Sequence, residues 1–195
     1  MNLDNSKLSK LMLTANLIST LFYSVSYPYI YAETIKVVPH MYIGIEQIVS
    51  CLGTIVFCKI WNAYSDKLFR YYDVFLWLEI VADIVLFADV LIRQNLNFYF
   101  LLNVITYAVI TKQVICGGTK MKARVHPTEK LREQYDNNAS IVNSIATLVG
   151  AGIAMIFVFD LKWLFVCAFI GNVIDNAFFL YIYNKIRRCL YEIHN

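Results

Sequence analysis

Long apolar runs separated by short polar segments organise this chain. Six runs stand out, at about 11–31, 41–60, 74–92, 97–115, 139–159 and 163–183. Each comes close to the roughly 20 residues that a helix needs to cross the hydrocarbon core of a bilayer. The pattern predicts an all-α membrane protein, a single domain over residues 1–195 with six transmembrane helices. Three connections are very short, at about 32–40, 93–97 and 160–162. A longer one, at about 116–138, opens with Gly117-Gly118, turns at Pro127 and continues as Thr128-Glu129-Lys130-Leu131-Arg132-Glu133-Gln134. Thr128 is placed to cap a short helix there, because its hydroxyl can accept from backbone N–H groups one turn ahead. Lys7 and Lys10 before the first run give it the look of a signal peptide, but polar residues interrupt it and five further runs follow. It is therefore expected to stay on the protein.

Composition makes the bilayer a requirement. Hydrophobic residues make up 59% of the chain and charged residues 16%, against about 45–50% and about 25% in soluble domains. A chain of this size cannot bury so much apolar surface against itself, so the excess faces lipid. Charge then sets orientation. Fourteen of the seventeen lysines and arginines fall at the N-terminus, in the second-to-third connection, around the fourth-to-fifth connection and in the C-terminal tail. Only Lys36, Arg93 and Lys162 fall on the other side. Cytoplasmic loops carry the excess of basic residues, so both termini and the 116–138 loop are expected in the cytoplasm, with the protein multi-pass in the plasma membrane. The net charge of +3 then follows from topology, and nothing resembles the clustered basic face of a nucleic-acid binder. Cys51, Cys58, Cys116, Cys167 and Cys189 form no CxxC pair, so free thiols are expected, with no disulfide framework, metal site or cofactor.

Two stretches carry a more specific message. The second-to-third connection reads Asn62-Ala63-Tyr64-Ser65-Asp66-Lys67-Leu68-Phe69-Arg70-Tyr71. It resembles the G-x-x-x-D-[RK]-x-G-[RK]-[RK] signature of the major facilitator superfamily, which lies at the same place. Asp66, Lys67 and Arg70 match, while Asn62, Phe69 and Tyr71 depart from it. His126-Pro127-Thr128-Glu129-Lys130-Leu131-Arg132, leading into a fifth run rich in small residues, is similar to the family's TPxExR connection. The likeness spans roughly residues 10–185, half of the usual twelve-helix transporter, and so implies a free-standing N-terminal half bundle. A weak three-plus-three repeat fits such a scaffold. The resemblance also implies a latch: Asp66, Lys67 and Arg70 would grip the start of a helix in an opposite half, here near Asp136 to Asn138 of a second copy. Headgroup anchoring is the simpler role for Lys67 and Arg70. The arginine of proton coupling in the fourth span and the Gly-Pro pair of the antiporter motif are both missing.

At 100° per residue several polar groups share helix faces. Asn16, Thr20, Tyr23 and Tyr27 line up in the first span, Asn103, Thr106 and Tyr107 in the fourth, and Asn143, Ser144 and Thr147 in the fifth, continuing from Ser140. The resemblance places the first, second, fourth and fifth helices around a central path, so these are substrate-path candidates. Small hydroxyl residues four apart also let helices pack closely and hydrogen-bond in lipid, which is an equally good account of the fifth. Acids at depth are rarer and costlier. Glu46, Glu79, Asp83 and Asp175 are the candidates for ion coupling, with Glu46 also in the path. Glu79 and Asp83, four apart, fall on one face of a helix that the family turns to lipid. Their partners would be Asn172 and Asn176, Lys112, or a subunit interface.

No GxSxG, HExxH or Walker A pattern occurs, and His40, His126 and His194 are scattered, so no enzyme is expected. The expected function is a half-size permease, a homodimer or one half of a heteromer, moving a small polar or amphipathic solute by alternating access. The alternative is a non-transporting protein on the same scaffold, an immunity, resistance or accessory subunit that binds another membrane protein.

Overall fold

A computed structural model describes residues 5–93, 96–156 and 160–194. It contains six helices and, among the described residues, no strand: α1 Asn5–Val37, α2 His40–Phe69, α3 Tyr72–Arg93, α4 Leu96–Val125, α5 Glu129–Ile156 and α6 Leu161–His194. The stretch Tyr107–Thr111 widens α4 into a π turn. Five helices are long and apolar enough to cross a membrane, and α3 is the exception. It has 22 residues, but Glu79, Asp83 and Asp89 fall in every 18-residue stretch of it. The distal end of the fifth apolar run, 157–159, and part of the expected 93–97 connection lie outside the described residues.

The expected long loop is absent. Residues 116–125 complete α4 and 129–138 begin α5, leaving only His126-Pro127-Thr128 between them. Gly117 does not open a turn. It lies inside α4 where Tyr72 of α3 packs on it so closely that a Cβ would stand 2.1 Å from the ring. Thr128 does cap, but it caps α5 itself, accepting from the Leu131 N–H at 3.4 Å. The second-to-third connection is also mostly helix, with a kink at Tyr64 before α2 ends at Phe69.

Six packed pairs hold the bundle: α1 with α4, α5 and α6, α2 with α4, and α3 with α4 and α6. Exchanging the first three helices for the last three, in order, leaves this set unchanged. Direction obeys the same exchange. Contacts climb together along α1 and α5 (Asn16–Tyr135, Thr20–Asn143, Ser24–Thr147) and along α2 and α4 (Cys58–Cys116, Ser65–Lys120). They run oppositely along α3 and α6 (Asp73–Arg187, Phe87–Phe169). Each parallel pair closes on a glycine. A Cβ at Gly150 would stand 2.9 Å from the Leu21 carbonyl oxygen of α1, and one at Gly53 would stand 2.4 Å from that of Ala108 in α4. The helices thus obey a three-plus-three exchange of opposite direction, the form taken by inverted repeats.

The two ends of the bundle differ. The end bearing the chain termini is a dense core of Leu8, Met12, Trp61, Phe69, Tyr72, Met121, Val125, Ile182, Tyr183 and Ile186. Its buried aromatic donors are paired: Trp61 Nε1 donates to Gln113 Oε1 at 2.6 Å, the Tyr72 hydroxyl to the Val114 carbonyl at 3.0 Å and the Tyr183 hydroxyl to the Arg70 carbonyl at 2.7 Å. Water is scarce in lipid, so every such group needs a protein partner. Towards the opposite, distal end, the core gives way to a cavity.

Candidate functional site

The cavity has a volume of about 350 Å³, within the roughly 300–1,000 Å³ usual for small-molecule sites. Helix α1 contributes Tyr23, Tyr27 and the small hydroxyls Ser19 and Ser26, and α2 contributes Glu46, Gln47 and Ser50. Helix α4 supplies Tyr99, Asn103, Thr106, Tyr107 and Thr111, and α6 supplies Ala168 and Asn172. Glu79 and Asp83 enter from α3. Helices α1 and α2 follow each other in sequence yet are not among the closely packed pairs, which leaves room between them.

Local structure explains how these side chains converge. On α1, a spacing of four residues stacks Tyr23 on Tyr27 (ring centroids 4.5 Å apart) and Tyr27 on Tyr31 (6.0 Å). On α4 the π turn covers Tyr107–Thr111, so both of its ends line the cavity. Such turns inside long helices concentrate at functional sites, because the added residue re-aims the side chains around it. The ammonium of Lys112, just past the turn, sits 4.3 Å from the centre of the Tyr107 ring.

The structure separates the predicted path residues into two groups. Tyr23, Tyr27, Glu46, Asn103, Thr106 and Tyr107 share the cavity. Asn16, Thr20, Asn143 and Thr147 do not line it; they join α1 to α5. Asn16 Nδ2 donates to the Tyr135 hydroxyl at 3.2 Å and the Thr20 hydroxyl to Asn143 Oδ1 at 3.3 Å. Thr147 lies 3.4 Å from the Ser24 hydroxyl. Ser144 turns its hydroxyl back to the Ser140 carbonyl at 2.8 Å and faces outward, along a shallow groove with Ser140, Thr147 and Ala151.

The acids of α3 point into the bundle. Glu79 lies against Thr111 of α4 and Asn176 of α6, and Asp83 against Asn172 of α6. This differs from the lipid-facing role that the resemblance gives to the third and sixth helices. The polarity of the residues accounts for the difference, since a carboxyl facing hydrocarbon would cost several kcal/mol. Asp83 Oδ2 is buried without a hydrogen-bond partner, and so is Asp175 Oδ1 on α6, outside the cavity lining. No cluster of three or more His, Cys, Asp or Glu able to hold a metal ion occurs among the described residues.

Asp66, Lys67 and Arg70 sit at the terminal end. The kink at Tyr64 brings Asp66 to α4, where its carboxylate meets Lys120 at 3.3 Å and Arg124 at 3.2 Å. Its side chain is still 78% exposed. Lys67 and Arg70 are exposed. Asp136, at the start of α5, is held by Lys122 at 2.9 Å.

Sequence reasoning missed Ser26, Tyr99 and Thr111 as members of one cavity, and foresaw Asn172 only as a partner of the acids on α3. Thr111 lies one helical turn beyond Tyr107, and that spacing was available as a signal. Tyr99 gave none, because its place depends on how α4 is packed. Comparison with known protein families, with curated proteins and with solved structures gave no match.

Proposed function

We propose that this chain is a half-size permease of the major facilitator type, with six membrane spans, both termini in the cytoplasm, and two copies or one copy and a second half forming the transporter. The observation that carries this reading is a polar cavity inside a bundle of membrane-length helices. Polar and ionisable groups are expensive at that depth and cluster on solute and ion paths. Two of the acids that exclude α3 from the apolar helices, Glu79 and Asp83, turn into this cavity, and in this reading α3 serves as the sixth span with its apolar face outward. The three-plus-three exchange of packed pairs fits a transporter repeat. In the proposed orientation the cavity opens to the outside, and the aromatic core at the terminal end is the inner seal that rocking of two halves would break.

The outward groove of Ser140, Ser144, Thr147 and Ala151 on α5 supports a second half. Hydroxyls along a spanning helix are typical of helix–helix contacts. In this reading Asp66, Lys67 and Arg70 are the latch, and Asp66 exchanges Lys120 and Arg124 for the partner's α5 during the cycle. Reconstitution into liposomes tests the proposal. A panel of small cationic, neutral and anionic solutes should give transient currents or uptake with at least one, and Glu79→Gln with Asp83→Asn should abolish the response. Particles of dimer mass are expected in nanodiscs. A strict monomer that moves no solute overturns the proposal.

A further inference from the structure

Charge in the cavity has one sign. Glu46, Glu79 and Asp83 line it, and none of its lining residues is basic. The ammonium of Lys112 rests on the ring of Tyr107 and is not part of the lining. Four tyrosines share the same walls: Tyr23, Tyr27, Tyr99 and Tyr107. Carboxylates in a poorly solvated cleft concentrate cations, and tyrosine faces attract them further through the ring quadrupole. Asp83 Oδ2, buried and without a partner, leaves an acceptor site unfilled.

A second hollow adjoins the first. It has a volume of about 490 Å³ and is walled by Val37, Val38, Tyr42, Ile45, Phe100 and Val104, where α1 turns into α2 beside α4. Its lining is mostly apolar, and Glu46 belongs to both hollows. A carboxylate at the junction of a polar, acidic chamber and an apolar one marks where a charged head and an apolar body would part company.

We infer that the site takes a small organic cation with an apolar group, an alkyl- or arylalkyl-ammonium. Its ammonium lies at Glu46 in the field of Glu79 and Asp83, and its apolar part enters the hollow of Ile45, Phe100 and Val104. The inference deepens the permease reading and rests on it, since it names the solute class of the same cavity. An anion is excluded by three acids. A neutral polar solute leaves all three carboxyls without a counter-charge.

Calorimetric binding to the full chain in nanodiscs tests it with three probes of one shape: phenethylammonium, 2-phenylethanol and phenylacetate. Saturable binding of the ammonium is expected, at least tenfold tighter than that of the alcohol, with none of the carboxylate. Methylammonium, which lacks the apolar body, should bind more weakly than phenethylammonium. Glu46→Gln should weaken phenethylammonium about tenfold, equivalent to 1.4 kcal/mol, and leave 2-phenylethanol unchanged. Equal binding of the ammonium and the alcohol overturns the inference, as does no saturable binding of the ammonium up to millimolar concentration. The probe series needs only the wild-type chain, so a variant that fails to fold does not remove the test. Flux of a neutral or anionic solute without ammonium binding would sink the inference and leave the permease standing. Ammonium binding without flux of any solute would do the reverse.

Discussion

At the terminal end, Tyr72, Met121, Val125 and Ile182 are completely buried, and the aromatic rings of Phe69, Tyr72 and Tyr183 meet with centroids 5.3–5.8 Å apart. Towards the other end of the bundle, Tyr23 is 53% exposed and the walls are acids, amides and hydroxyls. Lipid is as apolar as leucine, so association of helices within it depends on close packing and hydrogen bonds more than on the hydrophobic effect. Most of the deeply buried large side chains are concentrated at the terminal end. The distal end keeps a smaller apolar cluster around Ile30, Leu164 and Phe165 and holds the groups that destabilise a bundle, which in the proposed reading is an exchange of stability for function.

The sharpest test of that contrast is a pair of tyrosines. Tyr72→Ala removes a fully buried ring, empties the space over Gly117 and leaves the Val114 carbonyl without its hydroxyl. Large aromatic-to-alanine changes in cores cost about 3–5 kcal/mol, and that loss is expected in reversible unfolding from mixed micelles. Tyr23→Ala, at the distal end, is expected within about 0.5 kcal/mol of wild type. Equal losses would mean that the two ends share the stability evenly.

Between the ends, the glycine seams sharpen the comparison with a smaller effect. A methyl at position 53 meets backbone, the Ala108 carbonyl inside the π turn, at 2.4 Å, whereas nothing lies within 4 Å of one at position 152. Backbone yields less readily than a side-chain tip. Gly53→Ala should therefore cost about 1–3 kcal/mol, as overpacking does. Gly152→Ala should be neutral or gain up to about 1 kcal/mol from helix propensity. Thermal unfolding of the two variants side by side would decide this, and a harmless Gly53→Ala would show that α2 is free to move away from α4.

These particulars show how much was legible in the sequence. Apolar run length marked where each of the six helices lies, and five of them are long and apolar enough to cross a membrane. Periodicity identified which polar residues share a face, but it is blind to the neighbour covering that face. Thr20 and Tyr23 lie on one stripe of α1, yet the first bonds α5 and the second lines the cavity. Gly117-Gly118 and Pro127 looked like a loop because glycine and proline punctuate most chains. Here Gly117 is required by the ring of Tyr72, a contact 45 residues away in sequence that no local pattern encodes. The acids of α3 were recognisable as costly in lipid, with Asn172 and Asn176 among several candidate partners, but only the packing of α6 decides between these, Lys112 and a subunit interface.

The smallest effect concerns His126, which ties the terminal core to the short turn between α4 and α5. The ring is buried, 4.6 Å from that of Tyr135, with Nδ1 3.2 Å from the Lys122 carbonyl and Nε2 3.0 Å from the Ser9 hydroxyl. A carbonyl only accepts, so Nδ1 carries a proton, and in the neutral ring Nε2 then accepts from the Ser9 hydroxyl. Burial lowers the pKa below the ordinary histidine value; the hydrogen bond to Lys122 and the charge of Asp136 oppose this, while the Lys122 ammonium adds to it. Between the lowered folded value and the unfolded value of about 6.5, the unfolded chain binds more protons than the folded one. Stability contributed by neutral His126 is then complete above about pH 6.5 and is lost as pH falls through the folded value. His126→Phe keeps a ring but loses both hydrogen bonds, at about 0.5–1.5 kcal/mol each, and should flatten this acid slope in unfolding measured from pH 8 to pH 5. An unchanged slope in the variant would assign the acid sensitivity elsewhere, and the carboxylates of the distal cavity would be next to test.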